Sequence, residues 1–277
     1  RVTQQYPFSL LETTWPRYNT PAISPGCMFP VLDNYAPRIT IEQAQSPCKM
    51  NNLKENLNNV RARVDLACEK SGRDPSEVTV LAVSKKHPVE RIRALFAMGQ
   101  SSFGENYVQE ALSKIQQFPD ETVEWHFIGP LQSNKTGEVA RHFQWVQSAD
   151  RLKILNRLST QRPEGLPDLN ICIQVNIDRE PQKAGVMPEG VMELAAATRE
   201  MPGLRLRGLM TIPMALSAQH DPSESYRHML ELYRELIHSG FELDTLSMGM
   251  SADLEAAIMN GSTMVRIGTD LFGKRPA

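Results

Sequence analysis

Beyond residue 50 the apolar positions fall into two alternating rhythms. Leu53, Leu57, Val60, Val64 and Ala67 recur at helical spacing with Arg61, Arg63 and Glu69 around them, and Gly72 stands where that helix would end. The next segment, 78–86 (VTVLAVSKK), changes character: aliphatic and β-branched side chains run together over a length that suits a buried strand. Further runs of that kind lie at 101–107, 124–130, 143–150, 170–177, 206–213, 245–251 and 263–269. Helix-like segments separate them at 89–98, 107–118, 133–142, 151–160, 188–200, 223–239 and 252–260, with Gly99, Gly240 and Gly261 where C-terminal caps belong. This alternation predicts an α/β fold. Its repeat predicts a single (β/α)8 TIM barrel rather than a doubly wound open sheet, which usually has fewer strands. The extra N-terminal helix at 51–71, before strand 1, is expected to fill the slot of a trailing eighth helix.

Residues 1–49 break the pattern. Pro7, Pro16, Pro21, Pro25, Pro30, Pro37 and Pro47 leave no room for a continuous helix or a central strand. The chain starts with Arg1, and Met50 directly precedes the first convincing helix. The expected organisation is therefore an irregular extension over 1–49 that carries no part of the site, and a barrel over 50–277.

Composition narrows the function. Of the 277 residues, 41% are hydrophobic and 22% charged, with a formal net charge of −2, which reads as a soluble globular chain. No basic block stands out, so nucleic acid is not an expected partner. No run of about 18 apolar residues points to a membrane, and no secretory signal pattern opens the chain. Cys27, Cys48, Cys68 and Cys172 form no CxxC pair and read as reduced thiols of a cytoplasmic protein. The histidines lack HxH or HExxH spacing, so no metal is expected. No GxGxxG or GxxxxGK[ST] motif suggests a nucleotide.

In such barrels the functional groups sit at the C-terminal strand ends, and phosphate commonly binds in the loops after strands 7 and 8. Met248-Gly249-Met250-Ser251 follows strand 7, with Ser251 a candidate N-cap of the next helix. Arg266-Ile267-Gly268-Thr269 follows in strand 8, where Gly268 permits close approach and Thr269 offers a hydroxyl and an amide. Barrel closure puts strand 1, ending Ser84-Lys85-Lys86, beside that seat. A lysine there suits an aldehyde-phosphate cofactor. Strand parity lets only one of Lys85 and Lys86 point inward and does not say which. Arg266 lies within an apolar strand: either it meets a structural partner or it faces a pyridine nitrogen and keeps it unprotonated. Asn106, His126, Asn176 and Thr211 are further polar groups near strand ends, and His126 reads equally as a core histidine bonded to backbone.

LAVSKKHP, FGENYVQEAL, EWHFIGPLQSNK, RLRGLMTIP, LSMGMSADLEAAI and GSTMVRIGTDLFG, in this order from about Met50 to Gly273, resemble the pyridoxal phosphate homeostasis protein family. Nothing in 1–49 resembles it. The resemblance implies a barrel similar to the alanine racemase N-terminal domain, with pyridoxal 5′-phosphate held as a Schiff base on Lys85. It implies Arg266 at the pyridine nitrogen, Ser251, Gly268 and Thr269 at the phosphate, and Asn106, His126 and Met248 along the ring. It further implies a role in vitamin B6 balance, buffering or delivering the cofactor, with apo forms of PLP-dependent enzymes as partners. No catalytic reaction is implied.

The alternative is an enzyme, an amino-acid racemase or related decarboxylase on the same barrel. A two-base racemase needs a second base, supplied in alanine racemase by a tyrosine of a C-terminal β-domain. The chain is read as lacking that domain, and Tyr107 is a poor substitute. A phosphate-sugar enzyme on the same fold would leave Lys85 and Arg266 without use. A monomer is expected, since no outer helix is unusually apolar.

Overall fold

The computed structural model describes residues 47–119, 122–214 and 221–273. The extension expected over 1–49 lies outside these residues, except that the first helix, α1 (Pro47–Ser71), starts three residues before position 50. Proline is tolerated there because a first-turn N–H has no intrahelical acceptor. After α1 the strand and helix segments alternate as the apolar pattern predicts. They run β1 (Thr79–Val83), α2 (Val89–Phe96), β2 (Ser102–Glu105), α3 (Val108–Gln117), β3 (Glu124–Phe127) and α4 (Thr136–His142). Then come β4 (Trp145–Ala149), α5 (Leu152–Gln161), β5 (Leu169–Val175), α6 (Val191–Arg199), β6 (Leu204–Thr211) and α7 (Ser223–His238). The chain continues with β7 (Thr245–Ser247), α8 (Leu254–Met259), β8 (Met264–Ile267) and the short α9 (Thr269–Phe272).

All neighbouring strands pair in parallel, and the sheet closes on itself in the order β1 to β8. Closure rests on Thr79↔Met264, Val80↔Val265, Leu81↔Arg266 and Ala82↔Ile267. The fold class read from the sequence is therefore the one observed. Several strands stop short of their predicted C-terminal ends, at Val83, Glu105, Phe127, Ser247 and Ile267. There the backbone turns away from the sheet. Lys86 takes φ 63° and Gly249 φ 93°, which no strand accommodates. Those turns build the mouth of the barrel.

α1 takes the position predicted for it. Leu53, Leu57, Val60, Val64 and Ala67 are all buried, and the helix packs against α2, α8 and α9, covering the seam where β8 meets β1. Among the described residues no helix is long and apolar enough to cross a membrane. Cys68 and Cys172 are buried free thiols, and burial pushes the Cys172 thiol up to about 12.

Leu57 is 1% exposed at the centre of the α1 contact. Leu57→Ala should cost about 2–5 kcal/mol, the range for a truncated core leucine, read as a lower denaturant midpoint at unchanged slope. An unchanged midpoint would mean that α1 does not seal the barrel.

Candidate functional site

The two adjacent lysines are separated by a turn, not by strand parity. β1 ends at Val83, and Ser84–His87 close a β-turn in which the His87 N–H donates to the Ser84 carbonyl at 3.0 Å. Lys85 and Lys86 are its two central residues. The positive φ of Lys86 is what the third position of a type II turn adopts. Lys85 is half-buried and lines a cavity of about 270 Å³ at the barrel mouth, whereas Lys86 is exposed and lines an outer groove with Glu110 and Lys114. A left-handed conformation costs a residue with a Cβ roughly 1–2 kcal/mol. Local contacts must hold it.

β8, beside β1, brings Arg266, Gly268 and Thr269 to the same cavity, and the turn after β7 adds Met250, Ser251 and Ala252. That turn bends at Gly249, where a Cβ would stand 2.4 Å from the Ala257 Cβ. Ser251 is not the N-cap expected for the following helix. α8 begins at Leu254 with Asp253 at the cap position, and Asp253 ties the turn down. Its Oδ1 accepts from the Met250 N–H at 2.6 Å and its Oδ2 from the Tyr226 hydroxyl at 2.9 Å. The N–H groups of Ser251, Ala252 and Gly268 meet no acceptor among the described residues. At Gly268 a Cβ would come no closer than 3.6 Å to Val83, and φ is −110°, so the protein's own packing does not demand glycine there. The room is left to the cavity. Unsatisfied donors around such room suit an oxyanion.

Arg266 is 4% exposed, yet it forms no ion pair with any described residue. Its Nη2 donates to the Thr211 carbonyl at 2.7 Å and its Nη1 to Ser247 Oγ at 2.9 Å. The bonds continue across the barrel interior: Ser247 Oγ donates to Gln147 Oε1 at 2.7 Å, and Gln147 Nε2 contacts His126 Nδ1 at 3.0 Å. With Gln147 donating, the His126 proton belongs on Nε2, which has no partner among the described residues. Burial lowers the Arg266 pKa, opposed by Tyr226 and Asp253, and pushes His126 down to about 3. His126 is thus a fully buried, neutral ring stacked on Trp145 at 5.0 Å. It is a core histidine as one reading held, but bonded to a side chain, and it reaches the cavity only through Gln147, Ser247 and Arg266. Met248 is buried in the hydrophobic core and does not line the cavity; Met250 does. Asn106 lines it, and its buried Oδ1 has no partner among the described residues. Asn176 instead pins its own loop, donating to the Glu180 carbonyl at 2.8 Å.

Arg63 is a residue that sequence reasoning passed over as part of the polar face of α1. Its guanidinium donates to the Ser251 carbonyl at 2.9 Å and pairs with Glu255 at 2.6 Å and Asp270 at 2.5 Å. It thereby joins the turn after β7 to the helix after β8. Its hydrogen bond with Glu255 raises the Arg63 pKa and holds the Glu255 carboxyl below its ordinary value. An arginine on a half-buried helix face is an ordinary sight, so only the fold reveals this role.

The barrel and the arrangement at its mouth define a class. The family described as "Alanine racemase, N-terminal domain" matches residues 50–276. Alanine racemase of Clostridium difficile, 17% identical with a TM-score of 0.61, shares this fold over 82% of the chain and 58% of its own length. Nearer relatives narrow the class further. The pyridoxal phosphate homeostasis protein of Pseudomonas aeruginosa is 52% identical over 82% of this chain and 97% of its own length. That of Escherichia coli K12 is 50% identical over 82% and 98%. PipY of Synechococcus elongatus, solved with PLP bound, is 36% identical with a TM-score of 0.66, covering 77% of this chain and all of that one. The chain belongs to the pyridoxal phosphate homeostasis protein family.

Two outcomes follow from the geometry. An unfolded histidine takes up a proton near pH 6.5, while folded His126 resists until about pH 3. Its contribution to stability is present above pH 6.5 and is lost as pH falls toward 3, at about 1.4 kcal/mol per pH unit. Denaturant titrations at pH 7 and 5 should show that loss, and His126→Gln should flatten it. Removing the brace with Arg63→Ala should weaken inorganic phosphate binding by roughly fivefold, about 1 kcal/mol for a networked surface pair. Unchanged affinity by calorimetric titration would remove Arg63 from the site.

Proposed function

We propose that the chain binds pyridoxal 5′-phosphate at the barrel mouth, attached to Lys85, and serves the intracellular balance of that cofactor by buffering or delivering it. What carries the reading is one cavity shared by the Lys85 side chain, the buried guanidinium of Arg266 and the donor-rich turns at Ser251 and Gly268. The residues fit the group. The amine would attack the aldehyde carbon, forming a carbon–nitrogen bond and releasing the carbonyl oxygen as water, with no redox partner required. The N–H groups around Ser251 and Gly268, with Thr269, would hold the phosphate. Asn106 offers a buried acceptor without a partner among the described residues. When bound, the cofactor supplies an electron-withdrawing pyridine ring.

Arg266, facing the ring nitrogen, would keep it unprotonated by its permanent charge, which weakens the ring as an electron sink and favours holding over turnover. Through Ser247 and Gln147, neutral His126 keeps that guanidinium oriented. Tyr107, 51% exposed, is not among the residues lining the cavity, so it is not placed as a second base for a racemase. The relatives named above as homeostasis proteins support the carrier reading, as does PipY with PLP bound. The same reading takes the protein as a cytoplasmic monomer whose partners are apo forms of PLP-dependent enzymes, and residues 1–49 as an extension outside the site.

Purified protein loaded with pyridoxal 5′-phosphate should show the visible band of a lysine-linked cofactor in equimolar amount. Borohydride should fix the label on Lys85. Lys85→Ala should lose the band and the label. Arg266→Leu should weaken retention less, because the phosphate contacts persist; equal loss in both variants would contradict the assigned roles. Racemisation of alanine or serine at ordinary enzymatic rates, about 1–1000 per second, would replace the carrier reading with the enzyme.

A further inference from the structure

The turn that carries Lys85 is gripped from outside the barrel by a single buried ammonium. Lys114 of α3 is 5% exposed, and its Nζ spends all of its hydrogens on this region. It donates to Glu105 Oε1 at 2.6 Å, to Glu110 Oε1 at 2.7 Å and to the Ser84 carbonyl at 2.8 Å. The two carboxylates in turn hold the residues flanking Lys85. Ser84 Oγ donates to Glu105 Oε1 at 2.6 Å, and the Lys86 N–H donates to Glu110 Oε1. The Ser84 carbonyl also closes the turn by accepting from the His87 N–H.

The cluster is unusual for a place so well buried. Glu105 is fully buried, and burial pushes its carboxyl above the ordinary range against the pull of Lys114. A desolvated pair of this kind is weak evidence for stability, because losing water offsets much of the attraction. Its geometry is directional, however. It fixes Ser84 and the left-handed Lys86, the two neighbours of Lys85, and leaves Lys85 to enter the cavity. We propose that Lys114, with Glu105 and Glu110, is a positioning device that holds the Ser84–His87 turn so that the Lys85 amine meets the carbonyl carbon of its ligand. This rests on the Lys85 assignment above.

The test separates placement of the amine from integrity of the pocket. Pyridoxine 5′-phosphate has the ring and phosphate of the cofactor but an alcohol in place of the aldehyde, so its binding reads the pocket without the covalent bond. In Glu110→Ala, and in the double variant Lys114→Met with Glu105→Gln that leaves no unpaired buried charge, its affinity should stay close to that of the unaltered protein. The rate of borohydride-trappable attachment of pyridoxal 5′-phosphate should fall on the order of tenfold, more in the double variant, as expected for a displaced reacting group. Attachment at the unaltered rate in both variants overturns the proposal, as does a matching loss of pyridoxine 5′-phosphate binding, which would mean a general structural role. Absence of trappable attachment in the unaltered protein would instead overturn the Lys85 assignment on which the proposal stands.

Discussion

The pairing of β8 with β1 is the constraint on which the site depends. Arg266 is in register with Leu81, and Ala82 with Ile267, so the chain leaves both strands at the same height. The Ser84–His87 turn and the Gly268–Thr269 turn then emerge side by side, although Ser84 and Gly268 stand 184 positions apart in the chain. Lys85 and the Gly268–Thr269 turn come to line one cavity because a closed parallel sheet has no free edge. α1 seals the same seam from outside with its apolar face, and its Arg63 reaches over to the turn at Ser251.

The interior of the barrel solves a harder problem, which is to bury a guanidinium. Arg266 is compensated by the Thr211 carbonyl and the Ser247 hydroxyl, with no carboxylate in salt-bridge range among the described residues. Its charge is solvated by dipoles rather than neutralised by a carboxylate among the described residues. The row from Ser247 through Gln147 to His126 gives these dipoles fixed directions. Burial in that interior disfavours a charged ring, and the Arg207 guanidinium adds to the effect, which is the physical sense of the lowered His126 pKa.

Around this interior the helices do more than cover apolar strands. α1 contributes Arg63 to the turns after β7 and β8, and α3 contributes Lys114 to the turn after β1. Both act on backbone carbonyls, which a single side chain can orient without entering the cavity. The inner side of each turn faces the cavity, while the outer side is fastened to the helical shell.

The strand and helix periods, the caps at Gly99, Gly240 and Gly261, and the position of α1 were legible because burial on two faces demands apolar runs, and one-faced helices demand a 3.6-residue repeat. Asn106, Ser251, Arg266, Gly268 and Thr269, which line the cavity, could be noted from their place at or near strand ends. Strand parity did not separate Lys85 from Lys86, and only the family resemblance pointed to Lys85; in the structure the two part through the φ of one turn residue. Nor did the sequence reveal that Met248 enters the core while Met250 lines the cavity, or that Asp253 and not Ser251 stands at the N-cap position of α8. Arg63, Lys114 and Glu105 looked like ordinary charges on helix faces and a strand end. Their roles come from contacts between residues far apart in the chain, and only closure of the barrel brings such residues together. Short-range periodicity determined the elements, and long-range packing decided which polar groups became a site.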